Sequence, residues 1–117
     1  MAVATEPAGA ISYEGPSPDT EFLGFSQANF LVTVPGWKAR EVAILLNAPA
    51  ARRLLAELGR EDTSEARDQL ARLVGEAWLK RVIEGRAPFE SIVTVSNGFL
   101  DEHPDLLAEV RAAAKTS

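Results

Sequence analysis

The single histidine of the chain, His103, stands in the run Asp101-Glu102-His103-Pro104-Asp105. An imidazole flanked by carboxylates is the arrangement used by general bases and metal ligands, because its pKa lies near neutrality and a carboxylate can orient the ring. The same residues also make an ordinary helix start: acids before and within a first turn are stabilised by the helix dipole, and proline suits the first helical position. A zinc or non-haem iron centre asks for at least two imidazoles or thiolates, and this chain has one His and no Cys. No metal centre is expected. EF-hand spacing is missing as well, which leaves only a carboxylate-only calcium or magnesium site open.

The second set is cationic. Residues 1–37 contain no Lys or Arg and four acids, whereas Lys38, Arg40, Arg52, Arg53 and Arg60 lie in one stretch against Glu41 and Glu57. Arg52 and Arg53 follow Pro49, the expected first residue of a helix, where free N–H groups and the dipole favour a phosphate or carboxylate. They are the candidate anion-binding residues. The plainer reading of the same charges, and the favoured one, is solvated helix faces that pair with the acidic N-terminal segment. Glu61 and Asp62 are adjacent, so their side chains diverge and do not form a catalytic pair. No glycine-rich dinucleotide loop, Walker loop, nucleophile elbow or HExxH motif occurs. Catalysis is therefore not the favoured reading, and no cofactor is expected.

The third set is aromatic. Phe22, Phe25, Phe30 and Trp37 supply half of the eight aromatic side chains within sixteen residues. Phe30 falls in a strand pattern and reads as core. Phe22, Phe25 and Trp37 are the candidate partner-binding residues, since aromatic anchors dominate interfaces once desolvated.

Elements must position these groups. Asn29–Val34 is β-branched and aromatic and ends at Pro35-Gly36, the pattern of a strand closed by a turn, with Phe30, Val32 and Val34 on one side. After Trp37, Val42, Leu45 and Leu46 recur at helical spacing, which predicts a short helix ending near Asn47. A second helix starts at Pro49 and is closed by Gly59. The longest helix is expected over residues 64–84, with Asp62 or Ser64 as cap and Gly85 as its end. Ser91 to Val95 or Ser96 reads as a second strand stopped by Asn97-Gly98, and a last helix begins around Pro104. Pro7, Gly9, Gly15, Pro16 and Pro18 make residues 1–20 a flexible or irregular segment, in which Ala10–Glu14 fits a short edge strand. The expectation is a single α+β domain over residues 21–115, with a two- or three-stranded sheet against about four helices.

With 46% hydrophobic and 25% charged residues among 117, the chain has the composition of a globular domain. Seventeen acids against twelve bases, net charge −5, argue against phosphate backbones and anionic lipid as partners. The absence of cysteine excludes disulfides and thiolate chemistry. The N-terminus lacks a basic region followed by an apolar run, and no stretch is long and apolar enough for a membrane helix, so a cytoplasmic location is expected. The function these features favour is a non-catalytic, homo-oligomeric protein-interaction module of adaptor, chaperone-like or immunity type. Two alternatives stand beside it. One is an anion-binding protein or small enzyme using Arg52, Arg53 and His103 between sheet and helices. The other is a structural component of a larger assembly.

Overall fold

The computed structural model describes residues 9–17, 24–34, 36 and 38–116. Phe22 and Trp37, two of the three expected partner-binding residues, lie outside them. Four strands form one mixed sheet in the order β1-β2-β3-β4: β1 (Ala10–Pro16), β2 (Phe25–Thr33), β3 (Arg40–Asn47) and β4 (Ile92–Val95). β1, β2 and β3 form an antiparallel meander. Two helices, α1 (Ala48–Leu58) and α2 (Ser64–Ile83), then carry the chain over the sheet to β4, which pairs parallel to β3. Two more, α3 (Asn97–Glu102) and α4 (Pro104–Thr116), complete the helical layer.

The fold is thus α+β with four helices as expected, but its sheet has four strands where two or three were expected. The difference lies in residues 40–47, which are β3 and not a helix. Val42, Leu45 and Leu46 satisfy helical spacing, yet Val42, Ile44 and Leu46 equally satisfy a period of two, and a continuous apolar run cannot decide between them. Pairing decides it: β3 matches β2 from Phe25↔Asn47 to Val32↔Arg40 and matches β4 from Ala43↔Ile92 to Leu46↔Val95. The two strands recognised in the sequence are therefore not neighbours, since β3 separates them. Within residues 1–20, read as irregular, Ala10–Pro16 is a regular edge strand, two residues longer than the fitted one, with a bulge between Tyr13 and Gly15.

Helix ends follow local chemistry. The Asn47 side chain accepts from the Ala50 N–H at 3.0 Å and starts α1, with Pro49 in the first turn, and Gly59 closes it in the left-handed region at φ 65°. Thr63, and neither Asp62 nor Ser64, caps α2: its hydroxyl accepts from the Ala66 N–H at 3.1 Å. Asp62 instead takes a two-pronged hydrogen bond from Arg67, at 2.6 and 2.8 Å. Asn97-Gly98 does not turn the chain after β4. Ser96 caps α3 by accepting from the Phe99 N–H at 3.1 Å, so the dipeptide is the helix's first turn.

The core lies between helices and sheet. Ala28, Phe30 and Val32 of β2, Val42, Ile44 and Leu46 of β3, and Val93 and Val95 of β4 point into it. α2 crosses β2 and β3 closely enough that Gly75 sits directly on Phe30 and Ile44. A Cβ at that position would lie 2.5 Å from the Phe30 ring. The sheet-facing stripe of α2 therefore requires a residue without a side chain at its closest approach.

Candidate functional site

Strand alternation divides the sheet into two unlike faces. The residues between the core positions, Gln27, Asn29 and Leu31 of β2, Ala43 and Leu45 of β3, and Ile92 and Thr94 of β4, point the other way and are half-buried or exposed. No described helix covers them. The register sets Asn29 beside Ala43 and Ala43 beside Ile92, and Gln27 beside Leu45 and Leu45 beside Thr94. Ile92 is 61% exposed, the one exposed large hydrophobic residue among those described. Phe25 opens β2 on this same face opposite Asn47 and is half-buried.

Polar order on the face comes from its amides. The Gln27 side-chain N–H donates to Asn29 Oδ1 at 2.7 Å, and the Asn29 side-chain N–H groups donate to Ser17 Oγ at 2.8 Å and to the Gly15 backbone carbonyl at 3.2 Å. These bonds tie the start of the 17–24 connection to the sheet beside the β1 bulge. Gln27, Asn29, Ala43 and Ile92 floor a hollow of about 660 Å³, with Glu14 and Glu41 on its border.

The two sheet edges differ. β1 carries a bulge, Glu14 and Pro16, all devices that discourage a further strand from adding. β4 has none of these, and Ile92 stands on it.

The cationic candidates do not assemble into one site. Arg53 donates to Asp101 at 2.9 Å and lies 3.7 Å from Glu57, so it links α1 to α3. Glu57 is also held by Arg111 at 2.8 Å. Arg60 donates to the Ala114 carbonyl at 2.6 Å, on the last turn of α4. Arg52 is exposed on α1, and its charge helps Arg67 hold the Asp62 carboxyl below the usual range, the Arg67 hydrogen bond being the larger cause. Arg40 lies elsewhere, its guanidinium 5.4 Å from the centre of the Phe89 ring. At the start of α1, Asn47 already satisfies the Ala50 N–H.

His103 terminates α3. Its N–H donates to the Leu100 carbonyl and its carbonyl accepts from the Leu107 N–H, each at 3.1 Å, which joins α3 to α4. Its ring completes an aromatic trio, with centroids 4.9 Å from Trp78 and 4.7 Å from Phe99. Of the neighbouring carboxylates, Asp101 serves Arg53. Among the described residues no group of three or more acids and histidine could hold a metal ion, and no helix is long and apolar enough to cross a membrane.

Sequence reasoning missed the open face because it missed β3. The signal was present in the alternation Val42-Ala43-Ile44-Leu45-Leu46, which offers one apolar set to each side of a sheet. Comparison with known proteins adds nothing further: no family model, no curated protein and no solved structure matches the chain.

Proposed function

We propose that the chain is a non-catalytic, cytoplasmic protein-interaction module that self-associates through the open face of its sheet. The observation that carries this reading is Ile92, exposed on a face that no described helix covers and on an edge strand that has no bulge, proline or charged residue within it. A second copy is the occupant the face suits. A two-fold interface sets the same patch of both copies face to face, residue i against j and j against i, so it favours a patch whose groups can pair with one another. Apolar Ile92, Leu45 and Leu31 meet that condition, and so do the amides of Gln27 and Asn29, which donate and accept. Among the described residues, the acids beside this face are Glu14, Glu41 and Glu90, a small share of an acidic chain. Phe25 joins the surface as an aromatic anchor, and the reading assigns the same role to Phe22 and Trp37 from their place in the chain.

The test is oligomeric state by sedimentation across a concentration series, for the native chain and for Ile92→Asp. Burial of the exposed part of one Ile92 is worth about 1–2 kcal/mol, and a two-fold dimer buries two, so the variant should dissociate at concentrations about thirtyfold higher or more. Its far-ultraviolet circular dichroism should not change, because Ile92 lies outside the core. A native chain that stays monomeric throughout, or a variant that associates as well as the native chain, sinks the proposal.

A further inference from the structure

The cavity at the opposite edge of the helical layer is a different kind of place. It lies between the ends of β2 and β3, the last turn of α2 and the 85–90 connection, and has a volume of about 340 Å³. Its wall is apolar: Val32 and Val34 from β2 and its extension, Val82 from α2, and Ala87 and Phe89 from the connection. Two cations, Lys38 and Arg40, stand at its rim, and both are exposed.

The strand register explains the combination. Arg40 pairs with Val32, so its side chain leaves β3 on the helix side, whereas Glu41 leaves on the open face opposite Leu31. At most core positions that side is closed by a helix, but α2 ends at Ile83 and the chain turns away at Gly85 with φ 77°. The layer thus ends in an apolar recess with cations where it meets water. Arg40 also lies over the Phe89 ring, which holds the guanidinium at the mouth, and Glu41 and Glu90 border the neighbouring hollow that shares Arg40.

We propose that this cavity binds a single-chain aliphatic molecule with an anionic headgroup. The apolar wall takes the tail, and Lys38 and Arg40 receive the head. The volume is at the low end of ligand cavities, which run from about 300 to 1,000 Å³, so it suits one chain and not a diacyl lipid. Two cations at the rim select charge there: Arg offers a planar fork of donors that matches carboxylate or phosphate oxygens, and Lys adds a mobile point charge. This proposal is independent of self-association, since cavity and open face lie on opposite sides of the sheet.

The experiment is calorimetric titration of the native chain with decanoate, decyl phosphate and decanol, each below its aggregation concentration, with amide NMR shifts to locate binding. Saturable one-to-one binding of decanoate or decyl phosphate is expected, with decanol about tenfold weaker or more. Whichever anion binds more tightly identifies the headgroup. The double variant K38Q/R40Q should lose about tenfold for the anion and little for decanol, and it should fold normally because both residues are exposed. Ala87→Leu, which narrows the cavity, should weaken all three. The proposal is overturned if neither anion saturates, if decanol binds as tightly as the anions, if K38Q/R40Q leaves anion affinity unchanged, or if the shifts fall on β4 and the open face instead of on Val34, Val82 and Ala87.

Discussion

Replacement of Gly75 by alanine tests the closest contact in the fold. In an isolated helix the change would help by about 1 kcal/mol, because glycine is the poorest ordinary helix former. Here the added Cβ would meet Phe30 Cε1 at 2.5 Å, Phe30 Cζ at 2.8 Å and Ile44 Cγ1 at 2.9 Å, where favourable carbon contacts need about 3.5–4.0 Å. Phe30 and Ile44 are both 0% exposed, and the Tyr13 ring lies beside that of Phe30 at 5.4 Å between centroids, so the two core side chains cannot retreat without moving buried neighbours. Overpacking typically costs about 1–3 kcal/mol, and three contacts this short place the cost at the upper end. Subtracting the helix gain leaves about 2 kcal/mol of net destabilisation, or roughly 8 °C in Tm for a domain of this size. Thermal and guanidinium unfolding followed by circular dichroism would measure it. Phe30→Leu removes the obstructing ring and should lower stability by itself, but in that background Gly75→Ala should cost much less, with a coupling of about 1 kcal/mol or more. A Gly75→Ala variant as stable as the native chain, or two substitutions that simply add, would refute the placement of α2 on β2.

Two further outcomes follow from local geometry. Burial, then the charge of Asp68 and Glu76, raise the Tyr13 pKa above 10.0 against the opposing pull of Arg72, whose guanidinium lies 4.4 Å from the ring centre. A phenol whose folded pKa exceeds its unfolded one contributes stability that is present below the unfolded pKa and lost as pH rises through the folded value. Stability should therefore fall on the alkaline side of pH 10, and Arg72→Gln should move the ultraviolet phenolate transition further up. Thr63→Ala removes the acceptor for the Ala66 N–H and should cost about 1 kcal/mol in chemical unfolding, while Thr63→Ser should restore most of it. Equal stability of Thr63→Ala and native protein would show that another residue caps α2.

Much of the helical layer was legible in the residues alone. Pro49 and Gly59 bracket α1, Pro104 opens α4, and the long apolar periodicity between Thr63 and Gly85 is α2, because capping and backbone restriction act within a few residues and need no partner. The class α+β follows from the same local signals together with the β-branched runs of β2 and β4. Composition by itself also removes disulfide and thiolate chemistry, since the chain has no cysteine.

What tertiary structure decided was the fate of residues whose local pattern allows two answers. Residues 40–47 carry apolar side chains at both periods, and only hydrogen bonding to β2 on one side and β4 on the other made them a strand. With that choice came the fourth strand, the open face, the exposure of Ile92 and the turning of Arg40 toward the cavity beside Phe89. The placement of the cations was decided in the same way. Arg53 is drawn to Asp101, forty-eight residues away, and Arg60 to the Ala114 carbonyl, fifty-four residues away. Partners that remote in sequence leave no local signal, because an ion pair or a strand pairing is specified by which elements meet in space, and that is settled only when the whole core closes.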